Sequence, residues 1–592
     1  MASANTIWSG RVREFADRPA FRFSREGAWH TLTWRQADQA SREIAAGLCS
    51  LGLARGQRVA VLCQTRLEWV LCDVAIAMAG LVSVPIYPSS TSEQCAFLMV
   101  DSGSGVVLAE DAEQLEKLAP LLAKDASLRV VVIDETALHA RPDAKGVLSL
   151  AGLRQAGVAW NAANPGELDH RADAVNSSDC FTIIYTSGTT GQPKGVVLSH
   201  ANLVASCESG VRAFNIRPTD VQYLFLPLAH VLGREVEWAP IIVGSEIAFA
   251  GSMARIKYDL TEVRPTFMAG VPRIFEKLYA AVQAGVEQGS TAKRALVRWA
   301  FAVAARYSTA IRGKAAVPVL LRVTHVLADK LVLSKLRKRL GLDRCRFLIS
   351  GGAPLSAEIA EFFHAAGLLI LEGYGLTETT AAAFVNRWNC YRLGTVGPAV
   401  DVIEAKLAND GEILLRGPSV FSAYHGDPEA TSEAFDSEGW FCTGDIGVME
   451  DDFLRIVDRK KDLIITAGGK NVAPQKLENA LKAHSPYVSQ VVVYGDKRSH
   501  CVALITPSEP ALREFCGGAV AVAAASSELR AAIERVVEEV NAKLASYERV
   551  KAFAILPTDF GEATGELTPS LKVKRDVVAS KFASVIAGLY SG

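Results

Sequence analysis

The chain has 592 residues, 49% of them hydrophobic, with 63 basic and 64 acidic side chains and a formal net charge of −1. That length supports about two to four folding units, and the balanced charge excludes a globally basic nucleic-acid binder. The 11 cysteines form no C-x-x-C pair, which argues against zinc and redox motifs and for reduced core thiols.

In chain order, Met1 to Ala20 is broken by Arg11, Arg13, Glu14, Asp17 and Arg18 and does not read as a signal peptide. Gln57 to Cys63 predicts a buried strand, Glu68 to Ala79 a buried helix and Val82 to Ile86 another strand, an alternation that belongs to an α/β sheet. The apolar run Val70 to Pro85 is too short to span a bilayer and contains Asp73 and Gly80. Val130 to Ile133, Phe181 to Tyr185 and Phe347 to Ser350 repeat the strand pattern. Ala140 to Ala174, rich in Ala, Gly, Asn and Asp, reads as loop. Lys293 to Arg339 carries twelve basic residues and one acid, Asp329, with Leu296, Trp299 and Val303 at helical spacing. Two readings of this basic helical segment stand: a solvated helical face, or a patch for a membrane surface or another anionic partner. Gly411 to Leu415 and Phe453 to Val457 read as short strands. From about Lys461 onward the strands Val491 to Tyr494 and Val502 to Ile505 precede a helical stripe of Leu529, Ile533, Val536, Val540 and Leu544. The expected fold is α/β: a large N-terminal domain of α/β sheets with helices (1–460, including a basic helical insert at about 285–340) and a small mobile α+β C-terminal domain (461–592).

The strongest local signal is Tyr185 to Gly195, Y-T-S-G-T-T-G-Q-P-K-G, which continues directly from a strand. Gly188, Gly191 and Gly195 allow close backbone approach. Thr186, Ser187, Thr189 and Thr190 offer hydroxyl donors, and Lys194 supplies a positive charge. Together they suit a polyphosphate such as the β- and γ-phosphates of ATP. It is not a Walker A loop, because Lys194 is followed by Gly195 rather than Ser or Thr.

Further strings follow in order: P-L-A-H-V-L-G-R (Pro227 to Arg234), S-G-G-A-P-L (Ser350 to Leu355), E-G-Y-G-L-T-E-T-T (Glu372 to Thr380), G-W-F-C-T-G-D-I-G (Gly439 to Gly447), D-R-K-K-D (Asp458 to Asp462), T-A-G-G-K-N (Thr466 to Asn471) and L-T-P-S-L-K-V-K-R (Leu567 to Arg575). This series resembles the acyl-adenylate-forming (AMP-binding) superfamily over nearly the whole chain. Within it, the helical insert running into S-G-G-A-P-L and the L-T-P-S-L-K ending are most like bacterial long-chain fatty-acid–CoA ligases.

The resemblance implies a set of roles. Tyr374, with Gly375 beside it, would stack on adenine, opposite Gly352, Ala353 and Pro354. Thr377 would donate to the α-phosphate, and Glu378 would hold Mg²⁺. Asp445 would accept from the ribose hydroxyls, with Arg459 on the same nucleotide. His230 would lie beside the acyl carboxylate at the mouth of the acyl pocket; a structural histidine is the alternative. Lys572 would bridge carboxylate and α-phosphate and offset their repulsion; its neighbours Lys574 and Arg575 also fit a charged surface. Lys461 would be a hinge, and Ala467, Gly468 and Gly469 would leave a tunnel for pantetheine. The implied reaction consumes a medium- or long-chain fatty acid, ATP and CoA through an acyl-AMP, in the cytoplasm or at the inner face of the membrane. Transfer to a carrier protein, and a non-catalytic nucleotide- or lipid-binding descendant, are the alternatives.

Overall fold

A computed structural model describes residues 2–136, 146–186, 192–313, 315–516, 526–562, 564–568 and 572–590. Two eight-stranded sheets dominate it. The first runs, in spatial order, Ala423–Tyr424, Lys194–Ser199, Cys180–Thr186, Val82–Ile86, Arg58–Leu62, Val106–Ala109, Arg129–Val132 and Val147–Ser149. Its interior pairs are parallel, and these strands are buried almost end to end, as sheets covered on both faces require. The second runs Ala381–Val385, Ile370–Leu376, Phe347–Ser350, Phe267–Gly270, Val221–Leu224, Glu246–Phe249, Pro19–Arg25 and Ala28–Thr33. A four-stranded antiparallel sheet, Glu404–Leu407 to Phe453–Arg459, follows. Reciprocal caps fix several helix starts: Thr33 with Gln36, Thr91 with Gln94, and Ser199 with Asn202.

The helix Leu67–Met78 is buried along nearly its whole length, and it meets the helix Val231–Val243 through a charged core. Arg234 donates through Nη2 to Asp73 Oδ1 at 2.7 Å and through Nη1 to Glu237 Oε2 at 2.9 Å, while Trp238 Nε1 donates to Asp73 Oδ2 at 3.1 Å. Asp73, Arg234 and Glu237 are all buried.

One expectation fails. Within Ala140 to Ala174, the described residues form a strand (Val147–Ser149) and two helices, Leu150–Ala163 and Glu167–Asp173. Of the glycines that suggested loop, Gly157 serves close packing against the helix Trp34–Ser50. A Cβ on Gly157 would lie 2.0 Å from the Glu43 carbonyl, and one on Gly47 would lie 2.4 Å from that of Leu153.

The basic segment forms the helices Thr291–Arg312 and Val319–Ala328, then a π-helical turn (Asp329–Leu333) leading into Ser334–Arg339. After Ile464 the chain builds a separate core around the strands Val488–Tyr494, Cys501–Pro507 and Val550–Ile555. The stripe Leu529, Ile533, Val536 and Val540 faces that core from the helix Ser527–Asn541. Leu544 lies beyond the end of this helix but packs on the same cluster.

Candidate active site

Thr186 and Lys194 close the glycine-rich string, and they face each other in the antiparallel register of Cys180–Thr186 with Lys194–Ser199. Ser187, Gly188, Thr189, Thr190 and Gly191 lie outside the described residues. Gly195 is packed closely: a Cβ there would meet Ile183 Cγ2 at 2.8 Å and Tyr185 Cζ at 3.1 Å.

Lys194 Nζ sits 5.3 Å from the ring centroid of Tyr424, and the Tyr424 hydroxyl donates to Glu378 Oε1 at 2.8 Å. Tyr424 thus joins Lys194 to Glu378, the residues expected to meet phosphate and metal. Its position follows from the pairing of Ala423–Tyr424 with Val196 and Val197. Sequence reasoning missed it, because nothing around Tyr424 carries a chemical signature of its own. Desolvation and the Glu378 charge both raise its phenol pKa.

Thr377 and Glu378 open a short 3-10 turn, Thr377–Thr379. Two consecutive residues of positive φ follow, Thr380 (54°) and Ala381 (74°). For side-chain-bearing residues this conformation is costly and needs bracing. Thr379 Oγ1 donates to the Ala381 carbonyl at 2.8 Å, Thr380 Oγ1 to that of Ser419 at 2.7 Å, and Ser206 Oγ to that of Thr380 at 2.6 Å. Gly375 is required here, since a Cβ on it would fall 1.5 Å from the Ala381 oxygen.

The proposed nucleotide residues come together from three parts of the chain. The Tyr374 hydroxyl donates to Asp445 Oδ2 at 2.6 Å, and Arg459 Nε lies 2.9 Å from Asp445 Oδ1. Asp445 and Arg459 are cross-strand partners. Burial raises the Asp445 pKa, opposed by Arg459, Tyr374 and Lys572. Gly352 (φ 82°), Ala353 and Pro354 are exposed after the strand Phe347–Ser350.

Lys572 reaches this cluster from the C-terminal region. It is solvent-accessible, yet protein surrounds its ammonium closely enough that desolvation lowers its pKa. Arg459 acts in the same direction, and Asp445 and Glu378 oppose them. Its N–H donates to Thr568 Oγ1 at 3.0 Å.

His230 caps the helix Val231–Val243. Its Nδ1 accepts the Leu232 N–H at 3.1 Å, which leaves the proton of a neutral ring on Nε2. Burial, with Lys572 nearby, pushes its pKa down to about 3. His230 stands on the lining of a partly open, mostly apolar pocket, with about 670 Å³ of space between its walls when the open mouth is counted. Phe214, Ile216, Val236, Pro240, Phe267 and Ile349 share that lining, and Gly352 and Tyr374 stand at the same cavity.

Lys460 is fixed to the large domain. Its N–H donates to the Gly444 carbonyl at 2.8 Å, and its ammonium lies 2.6 Å from Asp410 Oδ2 and 2.7 Å from Glu412 Oε2. Lys461 next to it is exposed. Ala467, Gly468 and Gly469 are not part of this cluster. They occupy an exposed turn of the ribbon formed by Ile464–Ile465 and Asn471–Val472, where Ala467 N–H donates to the Arg498 carbonyl at 2.8 Å.

Comparison with known proteins decides the relationship. The AMP-binding enzyme family matches residues 8–425, and the AMP-binding enzyme C-terminal domain matches residues 461–592. The chain belongs to the AMP-binding enzyme family. Among curated members of this family, it is 40% identical over 582 residues to the long-chain-fatty-acid–CoA ligase FadD15 of Mycobacterium bovis, covering 96% of this chain and 93% of that protein. It is 32% identical over 614 residues to the long-chain-fatty-acid–CoA ligase ACSBG1 of Rattus norvegicus, covering 98% and 84%. Its fold is that of the carboxylate reductase adenylation domain from Mycobacterium chelonae (TM-score 0.78, 24% identity, 100% and 91% covered). It is likewise that of ATP-bound MatB from Rhodopseudomonas palustris (TM-score 0.70, 22% identity, 99% and 100% covered).

Proposed function

We propose that this chain is an AMP-forming medium- or long-chain fatty-acid–CoA ligase. The observation that carries the reading is that Lys572 lies within electrostatic reach of Asp445, Glu378 and His230, beside an apolar pocket that His230 lines. The fatty carboxylate lies with its tail in the cavity, and the His230 Nε2–H orients its head. A carboxylate oxygen attacks the α-phosphorus of ATP, the bond to the bridging oxygen breaks, and pyrophosphate leaves. Lys572 offsets the charge of both anions as they approach. Tyr374, Asp445 and Arg459 hold the nucleoside, and Lys194 with the adjoining glycine-rich string holds the outgoing phosphates. The CoA thiolate then attacks the acyl carbonyl, and AMP leaves.

The residues present fit Mg²⁺. Glu378 offers a half-buried carboxylate, one of whose oxygens receives Tyr424. Mg²⁺ typically takes one or two carboxylates together with substrate phosphates. Among the described residues no cluster of three or more His, Cys, Asp or Glu is poised to hold a metal. When bound, the ion supplies neutralisation of the pyrophosphate.

Residues 1–460 and 461–592 act as two bodies. Lys460 is pinned by three contacts, and Lys461 after it is the pivot, in a turn whose Asp462 and Leu463 N–H bonds to the Arg459 carbonyl (3.0 and 3.1 Å) rotation would break. Rotation would withdraw Lys572, break the 3.2 Å contact of Arg273 Nη2 with Ser489 Oγ, and carry Ala467, Gly468 and Gly469 toward the cleft for the thiol step. The deciding experiment measures pyrophosphate release across a panel of fatty acids, with acyl-CoA followed when CoA is added. Absence of pyrophosphate with every acid refutes the reading. Adenylate that accumulates untouched by CoA favours a carrier-protein acceptor.

A second proposal concerns membranes. The helix Val319–Ala328 leaves Val319 75%, Leu320 76%, Val323 53% and Val326 60% exposed, amid the basic residues of Lys293 to Arg339. Apolar side chains flanked by lysine and arginine suit peripheral contact with anionic lipid. Among the described residues no helix is long and apolar enough to cross a membrane. Co-sedimentation with anionic vesicles at low salt should show weak binding that Val319→Asp with Leu320→Asp removes; no binding by the unaltered protein refutes this contact.

A further inference from the structure

The wall of the acyl cavity carries a carboxyl group that the reaction above does not use. Glu235 lies on the helix headed by His230. The face of that helix turned to the cavity presents Val231, Leu232, Glu235, Val236, Ala239 and Pro240, so Glu235 interrupts an otherwise apolar wall. Gly210 on the neighbouring helix leaves room for it: a Cβ there would sit 3.2 Å from Glu235 Oε1.

The hydrogen bonds around this group leave it with unused capacity. Ser206 Oγ is 3.3 Å from Glu235 Oε1 but only 2.6 Å from the Thr380 carbonyl. A hydroxyl has one proton, and the shorter contact takes it. Burial pushes the Glu235 pKa up to about 8, against the opposing effects of Ser206 and the Ala382 N–H. At neutral pH the group is therefore a carboxylic acid whose own O–H has, among the described residues, only the long Ser206 contact, with acceptor lone pairs to spare. A plain polymethylene chain lying against it offers no partner.

We propose that Glu235 forms a polar subsite within the acyl cavity that accepts a hydrogen-bonding substituent, a hydroxyl or oxo group, on the fatty chain. The inference rests on the ligase reading and names the substrate class within it. Its position along the chain follows from geometry. Glu235 is five positions after His230, about 7.5 Å along a helix. A zigzag carbon chain advances about 1.25 Å per bond. With the carboxylate at His230, the subsite meets carbons of about 5 to 8.

The test compares hexadecanoic acid with its 6-, 7- and 8-hydroxy derivatives and with 16-hydroxyhexadecanoic acid as a positional control, by pyrophosphate release. The unaltered protein should give a hydroxy-to-plain ratio of kcat/KM that peaks at the mid-chain positions. Glu235→Leu should lower that ratio about tenfold, and Glu235→Gln should keep it within about threefold. A ratio unmoved by Glu235→Leu overturns the subsite. So does a flat positional profile in the unaltered protein, which requires no variant to fold. Failure of every acid, plain or substituted, refutes the ligase reading itself, and the subsite with it.

Discussion

Replacing Tyr424 by phenylalanine would remove one oxygen from the active site and leave its ring in place. The lost hydroxyl donates to Glu378 Oε1 at 2.8 Å, and a hydrogen bond to a charged acceptor contributes about 1.5–3 kcal/mol. The ring remains beneath Lys194, 5.3 Å from Nζ, so that cation–π attraction is retained. Glu378 is half-buried, and water takes over part of the missing bond. The lower end of the range applies, and about 1.5 kcal/mol corresponds to about tenfold in rate. The expected result is a kcat/KM for ATP about tenfold lower in pyrophosphate release, with more Mg²⁺ needed for half-maximal rate. Conversion of supplied acyl-AMP and CoA should stay within about twofold, because Glu378 acts on phosphates already gone at that step. Equal loss in both half-reactions, or no loss in either, would refute the link from Lys194 through Tyr424 to Glu378.

Lys572→Ala should nearly abolish acyl-AMP formation while sparing thioester formation from supplied acyl-AMP. Lys461→Pro should do the reverse, since proline fixes φ near −65° at the pivot; assays of each half-reaction decide, and parallel losses in both variants would dismiss domain alternation. Gly375→Ala should destroy activity and lower the melting temperature, because its Cβ has no place beside the Ala381 oxygen; a normal melt with normal rates would contradict the tight turn. Glu235 binds its proton more tightly folded than unfolded, with a pKa near 8 against an ordinary 4.5. Its contribution to stability is fully present below about pH 4.5 and is lost as pH rises toward 8, at about 1.4 kcal/mol per unit. Glu235→Gln should flatten that decline in denaturant titrations between pH 5 and 8.5, and an identical slope would show that the carboxyl does not titrate there.

The residues legible in the sequence were those whose chemistry sits in a compact string. Lys194, Glu378, Asp445 and Lys572 each stand in such a segment, and the last three share one electrostatic neighbourhood. Tyr424 was invisible because its role arises from the pairing of Ala423–Tyr424 with a distant strand. Glu235 gave a partial signal: the apolar run beginning V-L-G-R-E-V-E-W holds three charges. What the signal lacked was the partners, since Asp73 and Ser206 lie far off in sequence. The helix Leu150–Ala163 was misread because glycine that permits close helix contact looks, in one dimension, like glycine that breaks helices.

The buried ion pairs of Arg234 with Asp73 and Glu237 have a consequence for how the cavity measures its substrate. The helix that carries His230 and Glu235 toward the cavity carries Arg234 and Glu237 in the core. Sliding or turning that helix to admit a longer chain would separate Arg234 from Asp73, and an uncompensated buried charge costs about 3–5 kcal/mol. The wall is thus locked in register with the neighbouring helix and behaves as a rigid gauge. Activity across a series of saturated acids should fall off steeply at one chain length, rather than decline gradually as it would in a pocket that yields.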